Sequence, residues 1–239
     1  MEVVTAIVVV FFASASIFKL NYIAAKIDIK ISGNSYLNSH AKYQILLVSL
    51  SVIVLLFLYF QSSNNLKIFL SFGNISAPVE SVEWFGIGEG KTWVFAGLYL
   101  CVLITLGTFS FVYFQFRKQK IKTQEIFPYI GWIVLFSLSN SFSEEIIYRL
   151  GIIVPLYNII GVEEIILLSA IVFGLVHFGG MPHGLIGMFM AGFLGWFLAK
   201  AVVETQGLFW AWFIHFIQDV VIYIGFIVHN ISTNRVKYG

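Results

Sequence analysis

The stretch Ser143-Glu144-Glu145-Ile146-Ile147-Tyr148-Arg149 places three ionisable side chains inside a segment that is otherwise uncharged. No charged residue occurs in residues 128–143 before the stretch or in residues 150–161 after it. A charge at the centre of a bilayer costs about 2.5–3.5 kcal/mol on insertion scales, and such residues mark ion pathways, proton relays or chemistry. The stretch therefore predicts a polar functional site inside a membrane protein.

The composition agrees with a membrane location, because 59% of the residues are hydrophobic and only 11% are charged. Soluble domains average about 25% charged residues. The net charge of +2 comes without a basic run interleaved with aromatic residues, so no nucleic-acid partner is expected. Cys101 is the single cysteine, which excludes an internal disulfide and a cysteine-based metal site.

Apolar segments of membrane-spanning length recur along the chain and predict an all-α, polytopic transmembrane helical bundle of about seven spans around an intramembrane polar site. The predicted spans are residues 3–18, 43–60, 92–116, 128–155, 163–180, 185–203 and 208–228. The expected organisation is an N-terminal part of three spans with their loops (residues 1–124), a helical core (residues 125–230) and a polar tail (residues 231–239).

Two further patterns predict packing rather than chemistry. In the sixth span Gly187, Ala191, Gly195 and Ala199 recur every four residues, and a ridge of small residues lets a neighbouring helix approach closely. The acidic pair at 163–164 opens the fifth span, where carboxylates complement the positive end of the helix dipole.

The two adjacent acids of the charged stretch are expected to do different jobs. Neighbouring residues on a helix point about 100° apart, so Glu144 and Glu145 face different surroundings. Glu145 and Arg149 are four residues apart in the order that favours a helical ion pair. That pair leaves Glu144 available for chemistry, and the alternative is a purely architectural charge network.

Two other predicted helices offer buried acid–base groups. His177 follows Phe173 by one turn in the fifth span, and a histidine on such an apolar face is also compatible with a satisfied core residue. His215 and Asp219 share one face of the seventh span about 6 Å apart, and they are also compatible with a self-satisfied pair. Together with Glu144, these groups predict one site shared by three helices.

This set resembles the three motifs of the CPBP family, the CAAX prenyl protease and bacteriocin-processing family of intramembrane endopeptidases, also called Abi proteins. The motifs occur in the expected order on three apolar helices as Glu144-Glu145-x-x-x-Arg149, Phe173-x-x-x-His177 and His215-x-x-x-Asp219. The resemblance covers about residues 125–228. It implies a helical bundle with its site in a membrane-embedded cavity, acting on a membrane-associated peptide or protein, in the cell membrane of a bacterium.

The resemblance also implies a role for each residue. Glu144 would be the general base that activates a water, and His177 would hold that water. His215 and Asp219 would line the oxyanion hole, while the neighbouring Glu–Arg pair would support the site. Some members carry asparagine at the position of Asp219, so this aspartate either stays protonated and donates or orients His215. The orienting role is the one that we expect.

Other functions remain as alternatives to a glutamate-dependent endopeptidase, for which no cofactor is expected. A metalloprotease would use Glu144, His177 and His215 to hold zinc, although no His-Glu-x-x-His helix is present. Buried acid–base residues also serve as proton relays in transporters. A non-catalytic membrane scaffold or immunity protein of the same family is a further alternative. The expected partners are the lipid bilayer and the substrate, and nothing in the sequence indicates the oligomeric state.

Overall fold

The computed structural model describes residue 14 and residues 19–119, 121–180, 182 and 184–238, with side chains as far as residue 233. Within these residues the regular structure is helical, apart from the isolated bridges Pro78–Thr92 and Val82–Ile87. Six helices in this part of the chain are long and apolar enough to cross a membrane. The predicted all-α bundle with several spans is confirmed. The predicted first span, residues 3–18, lies outside the described residues except for residue 14.

The principal helices are α1 (Ser35–Phe69), α2 (Trp93–Phe116), α3 (Ile130–Glu145), α4 (Gly151–Leu156), α5 (Val162–Val176), α6 (Leu185–Thr205) and α7 (Phe209–Tyr238). Residues 19–26, ahead of α1, are also helical. The π-helical turn Ile146–Leu150 joins α3 to α4, so that Thr123–Leu156 crosses as one span. The charged stretch at residues 143–149 therefore lies at this junction.

Helix α1 is longer than the span predicted to end at residue 60. It continues to Phe69 across a kink at Ser62, where φ is −144° and ψ is 51°. Beyond the kink, the amide of Asn65 donates to the carbonyl oxygen of Val154 at 3.1 Å and so fastens α1 to α4. The extramembrane loop that follows is correspondingly shorter than predicted.

The centre of the bundle is the π-helical turn together with α4. Every residue of Ile146–Leu150 and Gly151–Leu156 is buried. Helices α1, α5 and α6 pack around this segment, and α7 packs against α2, α3 and α6. The arrangement encloses the charged stretch on several sides, which explains why its ionisable groups need partners within the protein.

Helices α5 and α6 approach closely, as the predicted ridge of small residues requires. A Cβ atom at Gly195 would lie 3.1 Å from the ring of Phe173, and one at Gly174 would lie 2.7 Å from the carbonyl oxygen of Met188. Because larger residues at these positions would push the helices apart, the ridge fixes the position of Phe173 on α5.

The helix lengths bring Glu144 and His177 to a similar depth. Helix α5 begins at Val162, with Glu163 and Glu164 in its first turn. Because His177 lies 3.8 Å from Glu144, α5 runs antiparallel to α4. At about 1.5 Å per residue, Glu144 lies about 18 Å from Leu156 and His177 about 22 Å from Val162. The difference is smaller than one helical turn, so the two side chains can meet.

The loop between α1 and α2 is fastened to the end of α6 by a buried lysine. Lys200 Nζ lies 2.5 Å from Glu80 Oε2 and 2.6 Å from Glu204 Oε1, and its side chain is only 3% exposed. Trp93 Nε1 donates to the second oxygen of Glu204 at 2.7 Å. These contacts hold the loop against the bundle away from the charged stretch.

Candidate active site

The site begins where α3 changes to the π-helical turn. Glu144 and Glu145 are the last two residues of α3. Single π-helical turns inside α-helices occur frequently at functional sites. The side chain of Glu145 is fully buried, whereas that of Glu144 is 13% exposed. The adjacent acids therefore have different surroundings, as predicted from their angular separation.

Both oxygens of Glu145 are occupied by partners. Oε2 lies 3.1 Å from Nε of Arg149, and both side chains are fully buried. Oε1 lies 2.8 Å from Nδ1 of His215 on α7. The guanidinium carbon of Arg149 lies 4.1 Å from the ring centroid of Phe173, the geometry of a cation–π contact. The predicted ion pair is present, and it also holds a histidine of another helix.

Glu144 directs one oxygen towards two histidine rings. Its Oε2 lies 3.8 Å from Nε2 of His177 and 3.7 Å from Nε2 of His215. These distances exceed a direct hydrogen bond, so the carboxylate oxygen and the two ring nitrogens face one another without being bonded. Oε2 is buried and receives no hydrogen bond from any residue that the structure describes. The end of α3, the 3-10 turn His177–Gly179 that follows α5, and helix α7 thus direct a carboxylate oxygen and two ring nitrogens at one place.

The hydrogen-bond partners define which nitrogen of each ring carries a proton. Nδ1 of His177 lies 2.7 Å from the carbonyl oxygen of Phe173, which can only accept, so this nitrogen donates. Nδ1 of His215 donates in the same way to the carboxylate of Glu145. In both rings Nε2 is left facing Glu144. A neutral His177 then presents a lone pair there, and a protonated His215 presents a second donor.

Asn140 joins Glu144 to Asp219. Its Nδ2 lies 3.2 Å from Oε1 of Glu144 and 3.1 Å from Oδ2 of Asp219. Oδ1 of Asp219 lies 3.7 Å from Nε2 of His215, beyond a direct hydrogen bond. We expected Asp219 to orient the His215 ring. The orienting hydrogen bond is instead made by Glu145, at Nδ1 of the ring.

The exposure of the four central side chains indicates how the site is reached. The side chain of His177 is 31% exposed, whereas those of His215 and Asp219 are 4% and 6% exposed. Because exposure decreases from α5 towards α7, the site opens on the side of His177. A substrate arriving from that side would meet His177 and Glu144 first.

All six residues singled out in the sequence lie in one connected cluster. Sequence reasoning missed Asn140, which precedes Glu144 by one helical turn and could have been noticed as an amide in an apolar helix. It also missed Gln44 on α1, whose amide contacts Asn140 at 3.3 Å. No sequence pattern links Gln44 to the charged stretch. The described residues contain no group of three or more His, Cys, Asp or Glu side chains placed to hold a metal ion.

The fold and the site together define an integral membrane protein with a buried centre of acids and histidines. Residues 126–221 match the family model described as Rce1-like, Type II CAAX prenyl endopeptidase Rce1-like. The match confirms the predicted resemblance, and its 96 residues of the 239 include all six predicted site residues. The matched segment is therefore similar to proteases of the CAAX type. Neither the search of the curated proteins nor the search of the solved structures found a match.

Proposed function

We propose that this protein is an intramembrane endopeptidase in which Glu144 activates the attacking water. The observation that carries the proposal is the position of Glu144 Oε2, 3.7 and 3.8 Å from the Nε2 atoms of two histidines. One water held between Oε2 and His177 Nε2 gives a proton to each acceptor, which leaves an oxygen lone pair for attack. Both acceptors lie on the open side of the site.

The reaction follows from these positions. Glu144 takes a proton from the water as the oxygen bonds to the carbonyl carbon of the scissile peptide bond. The carbonyl oxygen becomes an oxyanion, and the Nε2 proton of a doubly protonated His215 stabilises it. Glu144 then gives its proton to the leaving nitrogen, and the carbon–nitrogen bond breaks. The products are a carboxyl group and an amine.

Glu145 and Arg149 support this reaction without touching the substrate. Glu145 holds Nδ1 of His215 at 2.8 Å, which points Nε2 at the place where the oxyanion forms. Arg149 lies 3.1 Å from Glu145 and supplies the positive partner that a fully buried carboxylate requires. The proposed substrate is a membrane-associated peptide or protein, because its scissile bond must reach a site enclosed by membrane-spanning helices.

The test compares peptide termini in membranes that contain equal amounts of wild type or of Glu144→Gln. Glutamine keeps the size of the side chain and can still accept from Asn140, but it cannot take a proton from water. The matched control is Glu163→Gln, the same change at an exposed position in the first turn of α5.

We expect new peptide termini with wild type and with Glu163→Gln, and none with Glu144→Gln. Removal of a general base lowers a rate by about 10²–10⁴-fold, which is sufficient to abolish detectable product. Identical termini in all three membranes, together with a cellular effect that survives Glu144→Gln, would refute proteolysis and favour the scaffold alternative.

A further inference from the structure

Helix α1 reaches the site through a chain of hydrogen bonds that lies partly outside the segment matching the protease family. Gln44 of α1 is buried, and its Nε2 contacts Asn140 Oδ1 at 3.3 Å and Tyr223 Oη at 2.9 Å. Its Oε1 accepts from Ser139 Oγ at 2.8 Å. Neither Gln44 nor Tyr223 belongs to residues 126–221. The chain therefore ties the N-terminal part of the protein to the site.

Glu144 and Asp219, at the end of this chain of hydrogen bonds, fix the direction in which each bond is donated. The carboxylates of Glu144 and Asp219 accept, so the NH₂ group of Asn140 must face them. Asn140 Oδ1 then faces Gln44 and needs a donor, which the NH₂ group of Gln44 provides. Ser139 and Tyr223 fix the Gln44 amide from its two sides, because Ser139 supplies a donor and Tyr223 an acceptor.

We infer that Gln44 and Asn140 are positioning residues that, through one amide NH₂ group, hold the carboxylates of Glu144 and Asp219 at a fixed separation. The inference rests on the proposed role of Glu144. Asn140 uses its two protons on Glu144 Oε1 and Asp219 Oδ2. The oxygen of Glu144 that faces the histidines is thereby kept free for the water.

Gln44 reaches the two acids through its contact with Asn140. Without the Gln44 donor, Asn140 Oδ1 loses its contact with α1. This contact fixes which side of the Asn140 amide carries the oxygen and which carries the NH₂ group. Asn140 then turns more freely, and the hydrogen bonds to both acids weaken together. Tyr223 extends the support, since its Oη also lies 3.0 Å from Nε2 of His40.

The test uses the purified full-length protein and needs no substrate. A hydrophobic carbodiimide labels protonated carboxyl groups within membranes, and mass spectrometry measures the labelled fraction at each acid. Hydrogen bonds to a carboxylate favour its ionised form, so their loss increases the protonated fraction. We expect Asn140→Leu to increase the initial labelling of Glu144 at neutral pH about tenfold.

Gln44→Met should give a smaller increase in the same direction. In the background of Asn140→Leu, the second substitution should add nothing, because Gln44 acts through Asn140. The control is Ser49→Ala, an exposed residue of α1 whose hydroxyl contacts only the Ile45 carbonyl oxygen of its own helix. Asn140→Ser, which is too short to bridge two acids, replaces Asn140→Leu if the leucine variant fails to fold.

Two results would overturn the inference. Unchanged labelling of both acids in a folded Asn140 variant would mean that the amide does not hold them. An equal effect of Gln44→Met with and without Asn140 would mean that Gln44 acts by another route. Because labelling does not depend on cleavage, these results are distinct from the absence of product that would refute the proposed protease activity.

Discussion

The clearest energetic prediction concerns Arg149→Met, which removes the positive partner of a fully buried glutamate. Both side chains of the Glu145–Arg149 pair are 0% exposed, and Nε of Arg149 lies 3.1 Å from Oε2 of Glu145. Breaking a buried ion pair by removing one partner costs about 3–5 kcal/mol, because the remaining charge is left in a low-dielectric interior. The contact of Arg149 with the Phe173 ring is lost as well, and desolvated contacts of this kind contribute about 2 kcal/mol.

The hydrogen bond from His215 partly compensates the isolated carboxylate of Glu145. We therefore expect a loss of about 3–5 kcal/mol in the free energy of unfolding, without adding the cation–π contribution in full. The assay is reversible unfolding of purified protein in mixed detergent micelles, followed by tryptophan fluorescence. Replacing both partners, as in Glu145→Leu with Arg149→Met, should recover much of this stability, since an apolar pair carries no uncompensated charge.

The double variant shows separately whether the Glu145–Arg149 pair stabilises the fold and whether it is needed for the reaction. It should remain inactive although it is folded, because His215 has lost the acceptor that orients its ring. An Arg149→Met variant that unfolds like the wild type would refute the energetic argument. A double variant with full proteolytic activity would refute the role of Glu145 in holding His215.

Three further predictions concern other parts of the molecule. Asp219→Asn should change the rate of proteolysis by less than about tenfold, since the new amide can still accept from Asn140 and can donate to an oxyanion. A larger loss of product would show that the carboxylate itself is required. The hydrogen bond and charge of Lys200 hold the pKa of Glu80 below its ordinary value of 4.5. The contribution of Glu80 to stability is therefore present above pH 4.5 and lost as the pH falls through the lowered pKa, so the thermal stabilities of wild type and Glu80→Gln should converge in acid. Metal analysis of the active protein, with and without a chelator, should show activity without stoichiometric zinc, whereas zinc that leaves together with activity would support the metalloprotease alternative.

The spans could be predicted because length and apolar composition alone decide whether a helix can cross a membrane. The kink at Ser62 could not, since the residues around it continue a helix and only φ and ψ reveal the break. The helix therefore continues to Phe69, past residue 60 where the second span was predicted to end. The same limitation applies to the π-helical turn at Ile146–Leu150, whose residues do not distinguish it from an ordinary α-helix.

Within the site, contacts along one helix could be predicted and contacts between helices could not. The Glu145–Arg149 pair follows from a spacing of four residues. The spacing of His215 and Asp219 suggested a pair in the same way, but Glu145, 70 residues away in the sequence, holds the His215 ring. The contact between Gln44 and Asn140 is hidden for the same reason, because it joins residues 96 positions apart.

The charged partners of the two acids explain why Glu144 is the better candidate for the general base. Glu145 has a charged partner at Oε2, the ion-paired Arg149 at 3.1 Å, and a hydrogen bond from His215 at Oε1. Glu144 accepts one hydrogen bond, from Asn140, and its second oxygen receives none from the described residues. A base must have a lone pair available where the water lies, and an oxygen already paired with a guanidinium or an imidazole has less to offer. The division of work between two adjacent glutamates thus follows from which helices supply donors, and moving a donor from Glu145 to Glu144 should reduce the reaction even with both acids in place.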